Sequence, residues 1–114
     1  MSAFQLPRLP LYPAIVILKR EIESVSKYLI EREVPGVGQF TAADLKAISQ
    51  KSCSVIQELG HGIQWLHSYV TDDKIYCVYQ SASEDLIRRH AVQGGFPVNS
   101  IAEIRATIDP ATSV

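Results

Sequence analysis

With 114 residues, 46 % hydrophobic and 20 % charged, the chain has the composition of one folded domain with a modest core. Lys and Arg total 11 against 12 Asp and Glu, and the net charge of -1 leaves no basic footprint for a nucleic-acid partner. Cys53 and Cys77 are too few for a disulfide framework, so a reducing, cytoplasmic setting is expected.

Residues 1–26 read as an extension to the domain, with Pro7, Pro10 and Pro13 denying it a regular start. The apolar run Leu11 to Leu18 is broken by Pro13 and is far shorter than the ~20 residues that span a bilayer. Lys19-Arg20 follow it directly and no small-residue cleavage site is evident, so neither export nor a membrane partner is expected. Ile15, Leu18, Ile22 and Val25 recur at helical spacing. A short docking helix, a mobile arm and an unused upstream start codon all fit that pattern.

The domain is expected over residues 27–110, with a tail at 111–114. Lys27 to Val34 alternates as a strand, and Pro35-Gly36-Val37-Gly38 ends it. Thr41-Ala42-Ala43-Asp44 resembles a capping box with Asp at the last position. The helix behind it carries Leu45, Ile48, Val55, Ile56 and Leu59 along one side, and Gly60 ends it. Trp65 to Val70 and Lys74 to Tyr79 alternate on either side of Asp72-Asp73, which predicts a two-residue hairpin. Ser83 caps a second helix that stops at Gly94-Gly95, with Glu84 and Asp85 at the positive end of its dipole. Phe96-Pro97 starts the way back, and Ile101 to Ile108 is the last strand.

This order is β-α-β-β-α-β, the split ferredoxin-like pattern of an α+β domain. Both helices are expected on one face of the sheet. The apolar sets Tyr28/Ile30/Val34, Leu66/Val70, Ile75/Cys77/Tyr79 and Ala102/Ile104/Ala106/Ile108 fit that face. With a two-residue turn, Tyr69 falls opposite Tyr76 and His67 opposite Val78. Trp65, His67, Tyr69, Tyr76 and Val78 then share the other face with Leu29, Glu31, Glu103 and Arg105. An uncovered face with Trp and two Tyr needs a cover, and a second copy of the sheet is the simplest one, giving a dimeric α/β barrel-type assembly.

That face holds the candidate chemistry. Sheet order 4-1-3-2 places the third strand between the first and second, so Glu31 and His67 lie two strand spacings apart, about 9.5 Å between backbones. A metal, a water or Tyr76 can bridge that gap, and imidazole with carboxylate and phenol suits Ni, Zn, Cu or Fe. The competing reading is a histidine hydrogen-bonded to Tyr76 or to the dimer partner. Cys77 points toward the helices in this register and reads as a small buried hydrophobe, although a one-residue slip would turn it to the His67 face. His90 follows Leu86 by four positions on the buried side of its helix, as a core histidine does. His61 sits between Gly60 and Gly62 in a turn. No pair of histidines has HxH or HxxxH spacing, so any metal site has to be assembled in three dimensions. No G-x-S-x-G and no complete phosphate-binding fingerprint is present.

The segments Tyr28-Leu29-Ile30-Glu31-Arg32, Trp65-Leu66-His67-Ser68-Tyr69-Val70, Lys74-Ile75-Tyr76-Cys77-Val78-Tyr79, Arg89-His90-Ala91, Gly95-Phe96-Pro97 and Ile108-Asp109-Pro110 occur in this order. Together they resemble a family of small bacterial ferredoxin-like proteins of unknown function that includes a nickel-binding protein. The resemblance implies a dimeric ferredoxin-like fold in the cytoplasm and binding of nickel or another divalent metal. Glu31, His67, Tyr76, Cys77 and His90 fall inside the matching segments and are the candidate ligands. The first 26 residues depart from the family's usual start. Two other readings stand beside metal binding. One is a small-molecule binder or enzyme that uses a cavity between two sheets, walled by Trp65, Tyr69, Val78, Glu103 and Arg105. The other is an aromatic face that serves only as a dimer interface.

Overall fold

The computed structural model describes residues 25–114, so the expected extension over residues 1–26 lies almost wholly outside the described residues. The elements are β1 (Ser26–Glu33), α1 (Ala42–Leu59), β2 (Ile63–Val70), β3 (Lys74–Ser81), α2 (Glu84–Gly94) and β4 (Ser100–Ile104), with short 3-10 turns at Val37–Gln39 and Pro110–Ser113. The antiparallel sheet runs β2-β3-β1-β4, the order expected for the ferredoxin-like pattern. Among the described residues, no helix is long and apolar enough to cross a membrane.

Local chemistry sets the element ends. The Thr41 hydroxyl accepts from the Asp44 N–H, and the Asp44 carboxylate accepts from the Thr41 N–H, which completes the capping box of α1. Ser83 caps α2 by accepting from the Leu86 N–H. The β1–α1 loop folds over the hairpin turn. The Gly38 N–H donates to the Asp72 carbonyl at 2.9 Å, and a Cβ on Gly38 would meet Asp72 Cα at 2.8 Å, so only glycine lets the two backbones approach this closely.

Both helices cover one face of the sheet. Ile30, Ile63, Ile75, Cys77 and Tyr79 from the strands pack with Val37 and Ile87 in one buried cluster. The hairpin has the expected register, with Tyr69 opposite Tyr76, Ser68 opposite Cys77 and His67 opposite Val78.

Two placements differ from the sequence expectation. Trp65 lies opposite Tyr79 while His67 lies opposite Val78, so Leu66 is the extra residue of a β-bulge. The bulge shifts the phase of β2 by one residue. Trp65 therefore turns to the helix side, where it packs against the core and its indole N–H donates to the Ser68 hydroxyl at 2.9 Å. The second difference is in β4. Ile101 pairs with Ile30 and Glu103 with Tyr28, so these residues share the helix side, and Ala102 and Ile104 face outward beside Leu29 and Lys27. Ile101 is the larger apolar side chain and reaches the core. The strand ends at Ile104 rather than Ile108, because Ile104 pairs with Lys27 and β1 begins only one residue earlier.

Candidate functional site

The face of the sheet opposite the helices carries two transverse rows. Tyr69, Tyr76 and Glu31 lie side by side across β2, β3 and β1, and His67, Val78 and Leu29 form the next row. The His67 and Tyr69 rings meet edge to face with centroids 5.1 Å apart. Tyr69 is 61 % exposed and the His67 imidazole is also exposed. Glu31 is on this face, but one row away from His67 as well as two strands away, about 12 Å from backbone to backbone. Its carboxylate is held by the Lys74 ammonium at 2.8 Å. That hydrogen bond, together with the carboxylate's charge, raises the Lys74 pKa. Among the described residues, no group of three His, Cys, Asp or Glu side chains is placed to hold a metal ion.

The ten sequence candidates therefore divide between two places. Glu31, His67, Tyr69, Tyr76 and Val78 are on the open face. Trp65, Cys77 and His90 are on the helix side. Glu103 is also on the helix side of its strand, and Arg105 lies past the end of β4, paired with Glu103 at 3.4 Å. Neither Glu103 nor Arg105 lines the open face as expected, because the phase of β4 is reversed.

The helix side holds a second feature. A cavity of about 530 Å³ lies between α1 and the sheet. Leu45 and Ile48 from α1 and Trp65 and Val70 from β2 line it, and Arg32 lies at its Phe96–Pro97 end. Arg32 is 3 % exposed. Its Nε donates to Cys77 Sγ at 3.4 Å and its Nη1 donates to the Pro97 carbonyl at 2.7 Å. The guanidinium carbon lies 5.4 Å from the centroid of the Phe96 ring. Its Nη2 is buried with no hydrogen-bond partner among the described residues, and no carboxylate pairs with it there. Sequence reasoning missed Arg32, although it lies in phase with the Tyr28, Ile30 and Val34 stripe.

His90 packs behind the cavity-lining residues Ser52, Tyr79 and Phe96. It is fully buried, stacked on Phe96 and edge to face with Tyr79, with the Ser52 hydroxyl 3.1 Å from its Nε2. Its Nδ1 is buried without a partner. Burial lowers the His90 pKa below the ordinary histidine value, and the Arg32 charge acts in the same direction. Burial also pushes the Tyr79 phenol up.

The lowered His90 pKa has a consequence for acid stability. As pH falls through the ordinary histidine value of ~6.5, the unfolded chain takes up a proton that the folded chain still refuses. His90 thus contributes stability that is present above about pH 6.5 and is lost as pH falls toward the depressed folded value. The urea midpoint is expected to drop between about pH 7.5 and about pH 5. In His90→Gln, which keeps a hydrogen-bonding amide near Ser52 but cannot titrate, that drop should shrink. An unchanged drop would remove His90 as its source.

Three comparisons bear on this geometry. A family model described as "Nickel responsive protein SCO4226-like" matches residues 28–104. No curated protein matches the sequence. The crystal structure of SCO4226 from Streptomyces coelicolor A3(2) superposes with a TM-score of 0.63 at 15 % identity, covering 73 % of this chain and 100 % of that one. At that identity the structural likeness is one of fold.

Proposed function

Because the chain belongs to the SCO4226-like family of nickel responsive proteins, we propose that it binds nickel or a similar divalent metal on the open sheet face, in a site completed by a second copy of the chain. The observation that carries this reading is the exposed His67 imidazole, set against Tyr69 on a sheet face that the described residues leave uncovered. Imidazole nitrogen is a good ligand for nickel. One chain falls short of a full ligand set. Glu31 is engaged by Lys74 and lies a row away, and Cys77 and His90 are on the other side of the sheet.

A two-fold contact between open faces would both add ligands and cover the open face. An isologous interface presents the same patch twice, so with His67 beside the two-fold axis two His67 rings and their neighbouring phenols would meet there. The same contact covers Leu29, Val78, Ala102 and Ile104, which water would otherwise meet. Glu31 would serve as a ligand only by giving up Lys74. Both of those side chains are about one-third exposed, so the ion pair is a modest barrier.

The test is a nickel titration of the untagged full chain, since a histidine tag binds nickel by itself. The expected result is about one nickel per two chains, with thermal stability rising by mass action as nickel is added. His67→Ala should weaken binding by about a hundredfold or more, because a bound imidazole is lost from both halves of the site. Full-affinity binding by His67→Ala, or no binding by the natural sequence, would overturn the assignment.

A further inference from the structure

We infer that the cavity between α1 and the sheet binds a small monocarboxylate with an apolar body, its carboxylate paired to Nη2 of Arg32. A buried guanidinium without a counter-ion is costly, and such a charge is normally paired. Arg32 is 3 % exposed, and its Nη2 makes no hydrogen bond among the described residues. Nε and Nη1 are fixed by Cys77 and Pro97, so the charged end is held in position before anything binds.

The rest of the cavity sets the ligand class. Leu45, Ile48, Trp65 and Val70 are apolar walls, suited to a hydrocarbon or aromatic body. The volume of about 530 Å³ falls within the range of small-molecule sites. Arg32 is the single Lys or Arg on the lining. One cation matches a singly charged carboxylate, whereas a phosphate dianion calls for several charged or backbone donors. The Ser68 hydroxyl accepts from the Trp65 indole, which leaves its own proton for a second polar group on the ligand. His67 also borders this cavity, so the inference is tested on the metal-free chain, with readouts that depend on Arg32 and Val70 rather than on the metal reading.

Trp65 is the only tryptophan in the chain and lines the cavity, so its fluorescence reports occupancy without a label. The experiment titrates the metal-free full chain with octanoate, 1-octanol and inorganic phosphate. Octanoate is expected to shift the Trp65 emission saturably. 1-Octanol, with the same tail and no charge, is expected to bind at least tenfold more weakly, and phosphate is expected not to compete. Arg32→Met should erase the preference for octanoate over 1-octanol. Its folding is checked separately, and Val70→Phe provides a second route: Val70 lines the cavity from an edge strand at 42 % exposure, and the larger ring should block octanoate with Arg32 intact. Equal binding of octanoate and 1-octanol, no response of Trp65 to either, effective competition by phosphate, or undiminished octanoate binding by Val70→Phe would each overturn the inference.

Discussion

Val78→Asp is expected to break the proposed dimer into monomers while leaving the fold intact. Val78 lies opposite His67 on one neighbouring strand and Leu29 on the other, near the middle of the open face. Its side chain points away from both helices, so a carboxylate there does not enter the buried cluster of Ile30, Ile63, Ile75 and Ile87. In a two-fold contact of open faces, the substitution places two like charges in an apolar interface. Desolvating unpaired carboxylates costs several kcal/mol, and about 2.7 kcal/mol is already a hundredfold in dissociation constant. Sedimentation equilibrium should report twice the 12.6 kDa chain mass for the natural sequence and a single chain mass for Val78→Asp at the same concentration. An unchanged circular dichroism spectrum would establish that the variant is folded. A dimer that survives Val78→Asp would place the contact elsewhere and remove the two-chain metal site with it.

Ile87→Ala should have the largest effect on stability. Ile87 is fully buried on α2 and belongs to the cluster that joins the helices to β1, β2 and β3. Truncating a buried isoleucine removes transfer free energy and leaves a cavity, for a typical cost of about 2–5 kcal/mol. A domain of this size has a total stability of roughly 5–15 kcal/mol. The melting temperature should fall by about 8 °C or more, given roughly 4–8 °C per kcal/mol. Urea unfolding should show a lower midpoint with an unchanged slope, as expected for a stability change without a change in compactness. A loss below about 1 kcal/mol would mean that α2 does not close the core.

Sequence pattern carries far in this chain where geometry is local. Asp72-Asp73 fixes the hairpin, so the pairing of Tyr69 with Tyr76 and of His67 with Val78 follows from counting. Thr41, Asp44 and Ser83 mark helix starts through side-chain hydrogen bonds that depend on their own spacing alone. The bulge at Leu66 breaks the counting. Its trace is a slip of phase: Ile63-Gln64-Trp65 alternate apolar, polar, apolar, yet an unbroken ladder running back from His67 would turn Gln64 inward and Ile63 outward. The structure resolves that conflict by spending one extra residue on β2. The phase of β4 was ambiguous because Ile101 and Ile104 occupy opposite parities. Only pairing with Ile30, a tertiary fact, decides between them.

Arg32 is the more instructive miss. A single charge in an apolar stripe is outvoted when the stripe is read for secondary structure, since its neighbours Tyr28, Ile30 and Val34 suffice to identify the strand. Read for function, the same charge is the exception that a core has to accommodate. The aromatic and histidine content drew attention to the open face. The opposite side of the sheet holds the buried guanidinium, the buried imidazole of His90 and the cavity. The two faces thus offer different chemistry: exposed imidazole and phenol on one, a fixed cation in an apolar enclosure on the other.

The most direct test of the metal assignment is diffraction from crystals of the untagged full chain grown with nickel, recorded on both sides of the nickel absorption edge. The expected anomalous peak lies between two copies of the chain, within bonding distance of the His67 imidazole of each. A peak bound by one chain alone, or one at His61 with the open faces apart, would contradict it.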